Sequence, residues 1–289
     1  MRFVVFADSG CNLPQRKLQE LGIEVVPFSY ELDGELIVCP KYPDGFDGQS
    51  YYNRLRQGAQ VKTSLINAEA FYQAFRPVVE AGKDVLYVGI SSGISGTVAA
   101  ANMAAQQLME EYPQRKIIVV DSLCASMGQG FLVHQAVKLR DAGETLEDTA
   151  RKVTDMRLNV VHNFTVDDLG HLHRGGRVSK ATAVVGSLMG IKPILHVDDE
   201  GHLTSVGKVR GRKASIQALA DRMEEQMKGF DNPEVFISHG DCPEDAQALA
   251  DMVRTRFGID TIMIGYIGPV IGTHSGPGTL ALFFFGSPR

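Results

Sequence analysis

The sequence has no CxxC pair, and its four cysteines (Cys11, Cys39, Cys124, Cys242) are scattered without metal-type spacing. That pattern excludes a disulfide framework or a zinc site as the organising principle, and it predicts reduced thiols in a cytoplasmic setting. There is no dense Lys/Arg block: the formal net charge is −5 and the pI is near 5.9. Nucleic-acid binding and polybasic membrane binding are therefore excluded as the main function. No apolar run approaches the ~20 residues of a membrane span, the terminal stretch 280–286 included, so no stable membrane insertion is expected. The first eight residues hold an apolar run too short for a signal peptide and suited to a first strand. Neither G-x-x-x-x-G-K-[ST] nor G-x-G-x-x-G occurs, which argues against a nucleotide site. His171 and His173 lack a neighbouring Cys, His or carboxylate at ligand spacing, so they read as part of a solvated short helix and not as metal ligands.

What is present is an ordinary soluble composition, 44% apolar and 22% charged, in 289 residues. That length implies two domains with substantial cores. The stretch at 84–112 is the most informative. A short Val/Ile-rich run reads as a buried strand, the Ala-rich run 98–112 as a helix, and Ser91-Ser-Gly-Ile-Ser-Gly-Thr97 as the loop between them. Glycines there let backbone amides turn toward a ligand, hydroxyls add donors, and the unsatisfied first-turn amides of the helix favour negative charge. The loop is a small cradle for an anionic oxygen, or else a plain helix cap.

The same arrangement recurs. Strand–helix units at 1–21, 84–112 and 116–142 imply right-handed crossovers and a mainly parallel sheet, giving an N-terminal α/β domain over 1–158. Residues 33–50, rich in Gly, Pro and Asp, read as an irregular surface segment. Strands flanking 198–202 form a hairpin signal, so the C-terminal domain, 159–289, is expected to be α/β with an antiparallel or mixed sheet. Four hydroxyl-bearing loops, at 9–12, 63–64, 91–97 and 273–279, stand at element boundaries, and the last holds His274 between Thr273 and Ser275. Several such loops can converge on one acidic group. A competing reading comes from Gly89-Ile-Ser-Ser-Gly93, which fits the G-x-S-x-G elbow of an α/β-hydrolase acting as a lipid esterase, with Ser91 as nucleophile and His274 downstream. The intervening residues 93–96 before the helix, and the lack of an HGGG-type segment, count against it.

Taken in order, Asp8-Ser9, Lys62-Thr-Ser64, Ile90 to Thr97, Val120-Asp-Ser122, Leu172-His-Arg-Gly-Gly-Arg-Val-Ser179, Ile191-Lys-Pro-Ile194, Lys208-Val-Arg210 and Gly272-Thr-His-Ser-Gly-Pro-Gly278 resemble the DegV family of bacterial fatty-acid-binding proteins. The resemblance implies two α/β domains holding one long-chain fatty acid in a tunnel between them. It implies a carrier with no turnover of its own and no cofactor, which presents the carboxylate to the ATP-binding subunit of a fatty acid kinase for phospholipid metabolism. Matched motif by motif, it puts Thr63, Ser95, Gly96, Thr97, His274 and Ser275 at the carboxylate, and Arg177 and Arg210 at the encounter with the kinase. The Gly/Ala/Val/Met-rich helix at 180–190 and the strand residues Phe283 to Phe285 are the expected tunnel walls. Gly10-Cys11-Asn12 and Leu65-Ile66 depart from the family's usual Ser-Ser-Asp and Gln-Pro.

Overall fold

A computed structural model describes residues 3–40, 45–179 and 190–289. The expected helix at 180–190 falls almost wholly outside them. The first part of the chain runs β1 (Phe3–Asp8), α1 (Gln15–Glu20), β2 (Glu24–Val26), β3 (Ser29–Leu32), β4 (Glu35–Val38), α2 (Gly48–Arg56), β5 (Val61–Ser64), α3 (Ala68–Glu80) and β6 (Asp84–Gly89). It continues through α4 (Thr97–Glu111), β7 (Ile117–Asp121), α5 (Met127–Asp141), α6 (Leu146–Met156), β8 (Val160–Thr165) and α7 (Gly170–Arg174). After the undescribed segment come β9 (Ile191–Val197), β10 (Leu203–Arg210), α8 (Arg212–Gln226), β11 (Val235–His239), α9 (Pro243–Phe257), β12 (Ile262–Tyr266), α10 (Pro269–Ser275) and β13 (Leu280–Phe285).

The protein is α/β with two large sheets. The first, in the order β2-β1-β6-β7, is parallel throughout. Its central strands bury both faces, and the two-residue period of a strand decides which core each side chain joins. Val5, Ala7, Leu86 and Val88 point to the layer containing α5. Phe6, Val85 and Tyr87 point to the layer of α3 and α4, against Phe71, Phe75, Ala101 and Leu108. The second sheet, in the order β10-β9-β8-β13-β11-β12, is antiparallel except for the β11–β12 pair. Leu282 and Phe284 of β13 face α8 and α9, while Ala281 and Phe283 face the core shared with the first sheet.

Helix α5 is the joint between the two sheets. It is buried almost all round, as an apolar helix between two layers must be. Phe131 meets Phe236 and Phe285 edge-on at 4.8 and 4.9 Å, and shares a cluster with Val5 and Leu86 of the other sheet. Asp8 pins the strand ends beside it: its buried carboxylate accepts from the amides of Gly10 and Ile90, from Tyr87 Oη and from Gln129 Nε2, at 2.7–3.0 Å. Those bonds fix where the 91–97 loop leaves the sheet.

In the N-terminal half, one segment departs from the sequence reading. Part of the segment at 33–50, expected to be irregular, is a strand: β4 pairs with β3, and β3 with β5, in a three-stranded antiparallel sheet. Asp33 and Gly34, at φ 52 and 91, make the two-residue turn that twists with the strands it joins. Asp33 also accepts from Gln60 N at 2.9 Å and from Arg54, which ties the turn to the far end of β5's connection. Thr63 and Ser64 consequently lie on a strand and not in a loop before a helix.

Candidate functional site

The hydroxyl groups singled out in sequence meet where the elements around the parallel sheet face the six-stranded sheet. Thr63 comes from β5, Ser95 and Gly96 from the β6–α4 loop, His274 and Ser275 from α10, and Arg177 from the turn after α7. Together with Phe28, Ile90, Phe164, Leu172, Val197 and Leu203 they line a cavity of about 300 Å³. That volume is at the small end of the range for ligand pockets. The residues between Gly268 and Thr279, read from sequence as a glycine loop, include a seven-residue helix: Gly268 caps it, Pro269 occupies its first turn, and Gly276 ends it at φ 80. Two tyrosines of α2 fasten this helix. Tyr51 Oη donates to Pro269 O at 2.8 Å and Tyr52 Oη to Ile267 O at 2.8 Å.

His274 Nε2 lies 2.8 Å from Thr63 Oγ1, a contact between residues far apart in the chain. Among the described residues His274 Nδ1 and Ser275 Oγ are buried without a hydrogen-bond partner. Either tautomer fits this contact: with the hydrogen on Nε2 the Thr63 hydroxyl is left to donate to a bound oxygen, and with it on Nδ1 the ring itself is. Burial, and secondarily the nearby Arg177 charge, hold the imidazole down to about 4, so it is neutral at physiological pH. Gly175 is a glycine for a steric reason: a Cβ there would lie 2.1 Å from His274 Nδ1. The first glycine of the Gly-Gly pair in the 172–179 motif thus makes room for the ring, while Gly176 turns the chain at φ 72.

Arg177 is half-buried in the cavity wall, where burial lowers its pKa from the usual arginine value. Its Nε donates to Ile94 O at 3.2 Å and its Nη1 to Gly175 O, joining the 91–97 loop to the turn after α7. No carboxylate pairs with it among the described residues. A guanidinium in such surroundings favours an anion beside it. Arg177, which the resemblance puts at the encounter with the kinase, is among the residues that line the cavity. Arg210 is exposed on β10, opposite Ile191, and is absent from the cavity lining.

Thr97 stands one layer behind the site. It is fully buried, and its hydroxyl lies 2.8 Å from Ser95 Oγ, so it orients Ser95 and does not itself line the cavity. Of the expected wall strand, Phe283 lines the cavity, whereas Phe284 turns to the opposite face of the sheet. Loop 9–12 borders a separate small pocket with Cys39 and Tyr266. The hydrolase reading fails on geometry. The Ser91 hydroxyl is fully buried, donates to Gly201 O at 2.9 Å and accepts from Gly93 N, while His274 pairs with Thr63. His171 is half-buried, packed where a side chain on Gly276 would fall, and not freely solvated; no His/Cys/Asp/Glu group able to hold a metal occurs among the described residues. All four thiols are raised to about 12, chiefly by burial, so none is a ready nucleophile.

Sequence reasoning missed most of the apolar lining. Leu172 lies inside the quoted motif, and Val197 and Leu203 end the strands of the predicted hairpin. Their spacing reads the same whether they face a cavity or a packed core.

The model of the DegV family, described as a family of uncharacterised proteins, matches residues 2–287. This chain belongs to the DegV family. A DegV domain-containing protein of Clostridium perfringens is 38% identical over 292 residues, covering 100% of this chain and 99% of the relative. Among solved structures, a fatty-acid-binding DegV family protein from Thermus thermophilus superposes with a TM-score of 0.88 at 28% identity, covering 99% of this chain and 100% of the other. A stearic-acid-binding protein from Eubacterium ventriosum gives 0.86 at 25% identity, covering 99% of each chain. The two-sheet fold described above is thus the DegV fold. Among the described residues no helix is long and apolar enough to cross a membrane.

Proposed function

We propose that this DegV protein binds one long-chain fatty acid, with the carboxylate at Thr63, Ser95, Gly96, His274, Ser275 and Arg177 and the acyl chain along Phe164, Ala281 and Phe283. The observation that carries the proposal is the division of a single cavity. Hydroxyls, a neutral imidazole and a guanidinium with no carboxylate partner among the described residues gather on one part of its wall, and aliphatic and aromatic side chains form most of the rest. The fatty-acid ligands named for the Thermus and Eubacterium relatives support the same reading.

The energetics agree in sign. Burying ~14 methylenes at ~0.8 kcal/mol each contributes roughly 11 kcal/mol gross. Desolvating a carboxylate costs several kcal/mol, an amount that a guanidinium and two or three hydroxyl donors offset. Affinity comes mainly from the tail and orientation from the head.

The protein acts as a carrier, and the chemistry occurs at a separate ATP-dependent kinase that makes the acyl-phosphate. Gly96 is exposed beside Ser95, so the head group is close to solvent and within reach of such a partner. Arg210, outside the cavity, serves the partner encounter, while Arg177 serves the carboxylate. Native mass spectrometry of protein purified from a bacterial host should show the mass of one long-chain acid. Protein that is empty, and stays empty when offered such acids, contradicts the proposal.

A further inference from the structure

The three-stranded sheet has one covered edge and one bare edge. On the β5 side it lies against α10, through the contact of Thr63 with His274. On the other side β4 is the outermost strand, and its Leu36 and Val38 are 70% and 61% exposed. Soluble proteins ordinarily blunt such an edge with charge, proline or a bulge. Here those devices stand only at the ends, Glu35 before the aliphatic residues and Pro40 after them.

The alternation of the ladder fixes which backbone groups the edge offers. Cys39 N donates to Phe28 O at 2.8 Å, and Val38 stands opposite Ser29, so the hydrogen-bonded pairs with β3 fall at residues 39, 37 and 35 of this strand. The Asp33-Gly34 turn agrees, because a two-residue hairpin closes on a bonded pair, here Leu32 and Glu35. The N–H and C=O groups of Leu36 and Val38 therefore point away from β3, toward the bare edge. Among the described residues no other backbone group bonds to them. Residues of the same parity on either side offer no extension: Gly34 is in the turn, at φ 91, and Pro40 has no N–H.

These limits select the occupant. The edge presents two donors and two acceptors within three residues, so a foreign strand of ordinary length would find most of its own groups unanswered. A second copy of β4, antiparallel about a two-fold axis, matches it without remainder. With Leu36 opposite Val38 of the second copy, and the reverse, each pair exchanges two hydrogen bonds and every outward group is used. Ile37 then meets its own counterpart at a position without ladder bonds. Glu35 falls opposite Cys39, so no like charges are opposed. On the outer face the Leu36 and Val38 side chains of both copies form one apolar strip, bordered by the Lys62–Glu31 ion pair in the row of Leu36.

We infer that two copies of this chain pair through β4, joining their three-stranded sheets into one antiparallel sheet of six strands. Thr63 shares the row of Tyr30 and Ile37, so the pairing sets the two Thr63 residues about 24 Å apart, five strand spacings of ~4.8 Å. Such an interface is small, and a dimer with a Kd of roughly 10 to 100 µM is expected. Sedimentation velocity across a range of protein concentrations measures it. Val38→Pro removes an outward N–H without touching a bond to β3, and Leu36→Lys puts a charge on the strip; each should weaken association about tenfold or more. Leu36→Lys alters only an exposed side chain, so it carries the test if Val38→Pro fails to fold. Cysteines read the register: Ile37→Cys should form a disulfide-linked dimer on mild oxidation, whereas Leu36→Cys, roughly 7–8 Å from its counterpart, should not. A protein that stays monomeric throughout, a dimer indifferent to both substitutions, or cross-linking at 36 in preference to 37 overturns the inference. Each of these outcomes leaves the fatty-acid reading intact, since the pairing uses no residue of the cavity wall.

Discussion

The two parts of the cavity wall are built in opposite ways. The polar part is assembled from short pieces: four-residue β5, the loop before α4, seven-residue α10 and the turn at Gly175 to Arg177, each contributing one or two polar atoms. The part of the apolar wall formed by β8 and β13 comes from six-residue strands in the middle of a six-stranded sheet, whose alternation puts Phe164, Ala281 and Phe283 on the cavity side. Short elements can each aim a donor without disturbing a core, whereas a long paired strand fixes the position of many apolar groups at once. The difference teaches that head-group recognition and tail affinity are separable in this fold. Changes in the strands should alter stability first, and changes in the short elements should alter binding first.

The largest effect expected from this division is on the strand side. Phe283 is buried, with its ring edge-on to His162 at 5.2 Å. Phe283→Ala should cost about 3 to 5 kcal/mol of unfolding free energy, measured by urea denaturation of lipid-free protein. A loss below about 1 kcal/mol would mean that the strand wall is as loosely built as the head-group end.

Acid should come next. His274 has its folded pKa lowered to about 4 from an ordinary value of 6.5, so below 6.5 the unfolded chain takes up the proton more readily. The stabilising effect of keeping this ring neutral is complete above pH 6.5 and is lost as pH falls toward 4, by up to about 3 kcal/mol. His162, lowered to about 3 mainly by burial, adds a loss of the same sign. Replacing His274 with Asn should flatten the slope of stability against pH between 6.5 and 4; an unchanged slope would show that the ring titrates normally.

Binding at the head group follows. His274→Ala should weaken fatty-acid affinity by about 1 to 3 kcal/mol, because it strands the Thr63 hydroxyl and the ligand oxygen. Ser95→Ala should have a similar but smaller effect, about 1 kcal/mol, since Thr97 remains behind it. Calorimetric titration with a long-chain acid checks both, and equal losses from Phe283→Ala and His274→Ala in lipid affinity would erase the proposed separation. The smallest effect belongs to Arg210, which is exposed and outside the cavity. Arg210→Ala should leave fatty-acid affinity within about twofold and slow acyl-phosphate formation with the kinase proposed above. A large loss of lipid affinity would place Arg210 in the wrong part of the account.

The strands and helices of both sheets are legible in the sequence because a buried strand and an amphipathic helix each impose a period on their residues. β1, β6, α4, α8 and α9 follow that rule closely. The pairing of β3 with β4 was legible in principle, in the Asp33-Gly34 dipeptide, but is obscured by the Gly- and Pro-rich residues after it. α10 escapes notice because Gly, Pro and His are poor helix formers, and the bonds from Tyr51 and Tyr52 that hold it come from more than 200 residues earlier. The hydroxyl residues were recognisable through their motifs. The side on which Arg177 points was not, because a glycine-rich turn carries no period that separates inside from outside.

The central claim is that carboxylate and tail have fixed, opposite addresses in one cavity. A crystal structure with a long-chain acid carrying bromine on its terminal carbon tests it directly. The account predicts carboxylate density within hydrogen-bond reach of Thr63 and His274, and a single anomalous peak on the apolar side near Phe283. A bromine peak beside Thr63, or peaks at both places, would contradict it.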